Sequence, residues 1–407
     1  MNKTSAYKKL ERYGQLHVLD YYDELSAAEK EALQKQIEET DFEALKYCKN
    51  NTTNCKGSIS PLVAMQLPEI EKNKEEYIEV GQKAIKEGKV GAILLAGGMG
   101  TRLGSDQPKG MFDIGLTHPV YIFQRIIENM LDVVRAADAW VHLFIMTSDK
   151  NHEVTMKFFA QQDYFGYNKD YISFFMQDMV PASDFEGKVY MEEKGIISTS
   201  PNGNGGWFSS MQKCGLLQLV KKEGIEWLNV FAVDNVLQRI ADPCFVGATI
   251  MNHCVAGAKV VKKKEPDERV GVLCLEDEKP SIVEYYELTK EMKEAKDENG
   301  EPAYNFGVIL NYLFHEKELE DIVNNQLPLH VVEKKIPYLD QDGNYKEPEE
   351  PNGYKYETLV LDMIHQMDSC LPFEVEREKE FAPIKNSTGV DSVDTARQLC
   401  EANGIVL

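Results

Sequence analysis

Val90–Leu116 reads VGAILLAGGMGTRLGSDQPKGMFDIGL, an apolar run that empties into a glycine-rich loop carrying Arg102 and Lys109. Ile93, Leu94 and Leu95, bounded by Gly91 and Gly97, predict a short core strand. Gly97, Gly98, Gly100 and Gly104 let the following backbone approach a ligand closely. Backbone N–H groups of such a loop can cradle phosphate oxygens. Arg102 can grip an anion in bidentate fashion, and Lys109 adds a mobile point charge. Together they point to a site for a nucleoside triphosphate, where they would neutralise charge growing on a departing pyrophosphate.

Other glycine loops fit less well. The dinucleotide fingerprint places G-x-G-x-x-G at the opening of a helix. Here Gly98-x-Gly100 is followed by Gly104, Pro108 forbids an early helix, and Lys109 has no task in that motif. A P-loop ends in Gly-Lys-Ser/Thr, whereas this stretch runs Pro108-Lys109-Gly110. A turn that touches no ligand would explain the glycines but not the two cations.

Beyond this loop, apolar runs alternate with amphipathic stretches. Strands are expected at Ala92–Ala96, Val141–Thr147, Ile172–Met176, Leu228–Val233, Lys259–Val261 and Gly271–Leu275. Helices are expected at Tyr121–Ala136, Val154–Gln161 and Ser209–Gly224. The alternation implies an α/β fold, a Rossmann-like, mostly parallel central sheet flanked by helices. Residues 1–88 are expected to form an N-terminal helical unit, in which Leu16, Leu19, Tyr22 and Leu25 space an apolar face and Ser26–Glu29 fits a capping box. Residues 89–386 would be the catalytic domain and 387–407 a short tail. Thr289–Pro302 and Leu339–Pro351 read as inserted hairpins or loops.

The chain has 407 residues, enough for more than one structural unit. Its 67 acidic against 45 basic residues give a net charge of −22, which argues against nucleic acid or an anionic membrane as partner. The eight cysteines lack C-x-x-C spacing, so neither a disulfide framework nor a zinc site is suggested. With no apolar signal core and no membrane-length apolar run, a cytoplasmic location is expected. An acidic protein that binds a polyanion must gather its cations locally, and the candidates are Arg102, Lys109, Lys259, Lys262, Lys263, Lys264, Lys355 and Lys385. The Lys262–Lys264 run also fits an ordinary solvated strand end. Leu228–Val233 ends in Asp234-Asn235, placing a carboxylate where open α/β sheets bind ligands; Asp234 is a candidate metal ligand or, alternatively, a turn or helix-capping aspartate.

The Val90–Leu116 loop resembles the signature of the nucleotide-sugar pyrophosphorylases that use UTP, most of all the eukaryotic-type UDP-N-acetylglucosamine pyrophosphorylases. The resemblance continues in order through Phe174–Ser183, Gly187–Gly195, Ser200–Trp207, Phe231–Gly247, Gly257–Cys274, Val283–Glu287, Pro351–Asp362 and Phe381–Asn386, and so runs from about Tyr7 to Asn386. It implies a transferase that joins UTP to a hexose-1-phosphate with release of pyrophosphate, and Mg²⁺ as cofactor. Larger relatives carry a further β-rich C-terminal unit, most of which this chain is expected to lack.

Position by position, the resemblance places Leu95, Ala96, Gly97 and Gly98 at the nucleoside, and Arg102 and Lys109 on the triphosphate. Gln177 falls at the uracil, where an amide can meet both a donor and an acceptor. Gly205 and Asn204 fall at the nucleotide and sugar, and Asp234 at the nucleotide and its metal. Gly271, Glu284, Tyr285 and Asn305 fall at the sugar, Lys385 at the reacting phosphates, and Lys355, more weakly, on the pyrophosphate side. One departure bears on the substrate. The family's Asn-Ala-Gly-Asn is here Asn305-Phe306-Gly307-Val308, and Val308 cannot hydrogen-bond as asparagine would. N-acetylglucosamine-1-phosphate is the favoured substrate, with a UDP-glucose or broad-specificity enzyme as the alternative and a non-catalytic nucleotide-sugar binding protein as a third reading. The sequence sets no oligomeric state.

Overall fold

The computed structural model describes residues 5–49, 57–324 and 327–407. The chain forms two compact units, each built from three separate stretches of sequence.

The larger unit takes Lys56–Gln177, Trp207–Gln326 and Leu361–Leu407. Its centre is a ten-stranded sheet of β1 (Ile59–Pro61), β2 (Val90–Leu95), β3 (His142–Thr147), β4 (Ile172–Met176), β5 (Trp227–Ala232), β6 (Ala256–Lys262), β7 (Val272–Glu276), β8 (Lys279–Val283), β9 (Phe306–His315) and β10 (Cys370–Glu374). The order along the main path is β1-β7-β9-β5-β2-β3-β4, with β6 paired to β9 and β10, and β8 paired to β7. The run β5-β2-β3-β4 is parallel, and β9 joins it antiparallel through β5. β2 and β3 are buried along their whole length, as continuous apolar runs covered on both faces require.

The helices of this unit include α1 (Leu67–Lys86), α2 (Ile122–Ala137), α3 (His152–Gln161), α4 (Trp207–Lys213), α5 (Leu216–Glu223), α6 (Pro243–Met251) and α7 (Val393–Ala402). The expected single helix over Ser209–Gly224 is broken in two, because Gly215 adopts φ +74° in the left-handed region. The partition also differs from a break at residue 88. α1 crosses α6 with backbones in contact: a Cβ on Gly81 would lie 1.9 Å from the Pro243 carbonyl oxygen, and one on Gly247 1.8 Å from that of Tyr77. Nor is 387–407 a mere tail, since Val393, Ala396, Cys400 and Leu407 are buried in the same core as β2 and α2.

The smaller unit takes Met1–Cys55, Asp178–Gly206 and Leu327–Val360. Its core gathers Leu10, Leu33, Ile37, Phe42, Ile197 and Tyr356 around a three-stranded sheet of Ser183–Asp184, Gly353–Glu357 and His330–Lys334. The Ser26–Glu29 capping box opens the helix Ala27–Glu39, satisfying two otherwise orphaned backbone donors. Leu16–Leu25 departs from expectation, forming two short 3₁₀ turns over Leu16–Leu19 and Tyr22–Glu24, with Leu16 exposed. The hairpin expected in Leu339–Pro351 is present, beginning one residue earlier, with Tyr338–Leu339 pairing with Tyr345–Lys346. In the larger unit, Thr289–Pro302 holds a short helix, Lys290–Glu294, followed by a turn. No disulfide links the cysteines among the described residues, and Cys55 lies outside them.

Candidate active site

The site in the larger unit lies at the carboxyl ends of β2 and β5, neighbouring parallel strands in register from Trp227 opposite Val90 to Ala232 opposite Leu95. Beyond β2 the chain passes through Ala96, whose N–H donates to the Met146 carbonyl at 2.8 Å and whose carbonyl accepts from Asn151 Nδ2 at 3.0 Å. Gln177 leaves β4 with its N–H bonded to the Thr147 carbonyl at 2.8 Å and lays its side-chain oxygen over Gly97, 2.5 Å from where a Cβ would stand. Thus the segment Leu95–Gly97 at the end of β2 meets Gln177 after β4 through Gly97, across the end of the intervening β3. The loop then folds back on itself, Lys109 N–H donating to the Gly98 carbonyl at 3.1 Å, while Gly98 stays exposed.

Three of the expected charged residues converge on Lys109. Its ammonium is 3.7 Å from the Asp234 carboxylate, and both side chains are largely buried. Burial drives the Lys109 pKa below the ordinary lysine value; Asp234 opposes this, while the Arg102 and Lys385 charges add to it. Arg102 is exposed and makes no ion pair among the described residues. Lys385 pairs with Asp391 at 3.5 Å. Three cations against two carboxylates, Asp234 and Asp391, leave one excess positive charge, a setting that favours a bound polyanion. Asp234 does not cap the following helix, since the N-cap of α6 is Asp242.

Asp234 is the single carboxylate paired with Lys109, and no group of three or more His, Cys, Asp or Glu among the described residues is arranged to hold a metal alone. Mg²⁺ is commonly held by one or two carboxylates together with substrate phosphates and water. The donor set fits an ion that shares its coordination with a triphosphate.

The sequence missed the polar frame beneath this cluster. Asn235 donates to the Glu380 carbonyl at 2.7 Å and accepts from Ala382 N–H at 2.9 Å, while Ile384 N–H donates to the Asp234 carbonyl at 2.9 Å. Buried Asn229, on β5, donates to Asn311 on β9 at 2.8 Å and accepts from Ala241 N–H at 2.7 Å. A buried asparagine inside an otherwise apolar strand was the available signal, because such a group must find partners.

Lys259 is a correction. Counted among the candidate phosphate-binding cations, it is 0 % exposed, and its ammonium donates to Asp242 at 3.0 Å, Glu380 at 2.5 Å and the Arg239 carbonyl at 3.0 Å. All three of its N–H donors are consumed by protein. Burial opposes its charge, but the Asp242 and Glu380 carboxylates outweigh burial and raise its pKa. Of the neighbouring run, Lys262 and Lys264 are exposed and Lys263 donates to the Pro266 carbonyl at 2.5 Å, consistent with a strand end.

The expected sugar-contacting residues divide. Gly271, Glu284 and Val308 lie together: a Cβ on Gly271 would stand 3.6 Å from both a Glu284 carboxylate oxygen and Val308 Cγ2. Tyr285 is partly exposed with its ring edge-on to Tyr286 at 5.2 Å. Asn305, by contrast, lines a small cleft with Lys263, Tyr304 and Leu288, its carbonyl accepting from Lys263 N–H at 2.9 Å. In the smaller unit, Asn204 accepts from Val360 N–H at 2.9 Å and Gly205 N–H donates to the Thr358 carbonyl at 2.9 Å. A Cβ on Gly205 would fall 2.7 Å from the Leu359 backbone, so the close approach it permits there is to its own chain. Lys355 sits half-buried in the strand Gly353–Glu357 of that unit.

Residues 32–400 match the family described as UTP--glucose-1-phosphate uridylyltransferase. The chain belongs to this family. It is 35% identical to the mouse UDP-N-acetylhexosamine pyrophosphorylase-like protein 1, covering 94% of this chain and 80% of that protein. It is also 35% identical to the UDP-N-acetylglucosamine pyrophosphorylase of Saccharomyces cerevisiae, over 94% of this chain and 86% of that one. The crystal structure of the Trypanosoma brucei uridine diphosphate N-acetylglucosamine pyrophosphorylase superposes with a TM-score of 0.84 at 27% identity, covering 99% of this chain and 85% of that chain. A UDP-glucose phosphorylase from the same organism shares the fold at a TM-score of 0.69 and 18% identity, over 91% of this chain and 79% of that chain. As a family member, the chain has the mixed α/β, largely parallel sheet these proteins share. Among the described residues, no helix is long and apolar enough to cross a membrane.

Proposed function

We propose that this chain is a nucleotidyltransferase that makes a UDP-sugar and pyrophosphate from UTP and a hexose-1-phosphate, with N-acetylglucosamine-1-phosphate as favoured substrate. The observation that carries the reading is the largely buried Lys109–Asp234 pair beside the ends of β2 and β5, with the Arg102 and Lys385 charges acting on the same Lys109. A non-catalytic binding module has no need of this full phosphate-neutralising set.

The sugar-phosphate oxygen attacks the α-phosphorus, a new P–O bond forms, and the bond to the bridging oxygen breaks, that oxygen leaving with pyrophosphate. The nucleophile is already an anion, so no general base is needed; the task is to hold two polyanions together in line. Leu95–Gly98 and Gln177 would seat the nucleoside, while Arg102, Lys109 and Lys385 would neutralise charge as it shifts to the leaving group. Asp234 would hold Mg²⁺, which when bound screens the phosphate oxygens. Gly205 and Asn204 are proposed to meet the nucleotide and sugar, and Gly271, Glu284, Tyr285 and Asn305 the sugar, with Glu284 accepting from hydroxyls. A reducing, cytoplasmic setting is part of this reading, since the eight cysteines lack the spacing of a disulfide framework.

Val308 favours a second reading, a UDP-glucose or broader UDP-sugar enzyme, because an apolar side chain stands beside Gly271 and Glu284. Pyrophosphate release from UTP and Mg²⁺, measured separately with N-acetylglucosamine-1-phosphate, glucose-1-phosphate and N-acetylgalactosamine-1-phosphate, decides between them. Turnover confined to the first supports the main reading and turnover with glucose-1-phosphate the second. Tight UTP binding without turnover would overturn both.

A further inference from the structure

We infer that Glu380 is a positioning residue for the proposed transfer, holding the segment that carries Lys385 in register with the turn that carries Asp234. The inference rests on the uridylyltransferase reading and adds to it a residue two contacts removed from the reacting atoms. Glu380 closes the short helix Arg377–Glu380, immediately before Phe381-Ala382-Pro383-Ile384-Lys385. It is held from two sides. Its carbonyl accepts from Asn235, the neighbour of Asp234, at 2.7 Å. Its carboxylate accepts from Lys259 at 2.5 Å and from Arg239 N–H at 3.2 Å.

The same Lys259 ammonium grips Asp242, which caps α6 through Cys244 N–H at 3.1 Å. The loop 234–242 is therefore tied at both ends: Asn235 binds its start to Glu380, and Lys259 binds its end to Glu380 again. Past Glu380 the two segments run side by side, with an antiparallel bridge between Asn235 and Pro383 and the Ile384 N–H on the Asp234 carbonyl. Lys385 follows directly. A fully buried ammonium with three protein acceptors has no capacity left for a phosphate, so the ions here fix geometry. Electrostatic catalysis depends on such fixed placement, and a misplacement of about 1 Å can cost on the order of a hundredfold in rate.

The test compares Glu380→Ala, Glu380→Gln and Asn235→Ala with the unaltered enzyme, reading melting temperature, UTP binding by calorimetry, and kcat and KM per folded molecule. Glu380→Ala is expected to lower kcat about tenfold or more, with UTP affinity within about threefold. Glu380→Gln keeps an oxygen for Lys259 and should recover most of the rate. Should Glu380→Ala fail to fold, Asn235→Ala severs the other tie and is read in the same way. A lowered melting temperature with unchanged kcat in the folded fraction would overturn the positioning role and leave the uridylyltransferase reading intact. Absence of turnover in the unaltered enzyme with all three sugar phosphates would bring down both.

Discussion

Lys109 and Lys259 are both lysines with an aspartate partner, and the sequence offers no rule that separates them. Lys109 stands 3.7 Å from one carboxylate, in the field of two further cations, with its pKa pushed down by burial. Lys259 is sealed from solvent with an acceptor for each of its three protons, and its pKa is raised. The difference separates scaffold from site. A buried charge whose hydrogen bonds are all met by protein is finished, whereas one left short of partners beside like charges is favoured by an incoming anion.

The strongest way to break this comparison is to remove the unsatisfied cations. Lys109→Ala and Arg102→Ala should each lower kcat/KM on the order of 10² or more, as expected for groups that meet charge in the transition state. Near-normal turnover in steady-state assays would take that residue out of the mechanism. Asp234→Asn should raise the Mg²⁺ concentration for half-maximal rate by about tenfold, since a carboxylate is the hard donor such an ion prefers. An unchanged Mg²⁺ titration would count against ligation.

The pH dependence sharpens the contrast. Because the Lys109 pKa lies below the ordinary 10.5, the alkaline limb of kcat/KM should fall at lower pH than an exposed lysine would give. Asp234 supports the protonated form, so Asp234→Asn should move that limb further down; a limb that stays put would separate the two residues. In stability the sign is the reverse of a salt-bridged lysine. The unfolded chain binds the proton more tightly, so charged Lys109 costs stability below its folded pKa, and the cost disappears as pH rises toward 10.5. The smallest effect concerns the sugar. Val308→Asn should raise the ratio of kcat/KM for N-acetylglucosamine-1-phosphate over glucose-1-phosphate by roughly tenfold, and an unchanged ratio would remove Val308 from substrate choice.

Much of the fold was legible because it rests on local pattern. Val90–Leu95 and Leu143–Met146 are unbroken apolar runs, and such short runs bounded by glycine or turn residues read as buried strands or short core helices. Asp234 was legible for a related reason, as the first carboxylate after such a run. The break at Gly215 was not, because isolated glycines occur within helices and only the backbone angle shows this one ending one helix and starting another. Residues 1–88 misled for a different reason: α1 has the same charged, amphipathic pattern as the helices of the smaller unit, and only its crossing with α6 assigns it to the larger.

The sequence by itself determined the parallel strands, the glycine loop with its two cations and the aspartate that follows β5, since periodicity and residue chemistry act over a few neighbours. Tertiary structure alone decided which lysine is finished and which is left open, that Asn235 and Glu380 join segments 145 residues apart, and that Gly205 is small for the sake of its own chain. Those outcomes depend on which acceptors arrive from distant strands, and hydrogen-bond satisfaction is a property of the assembled neighbourhood.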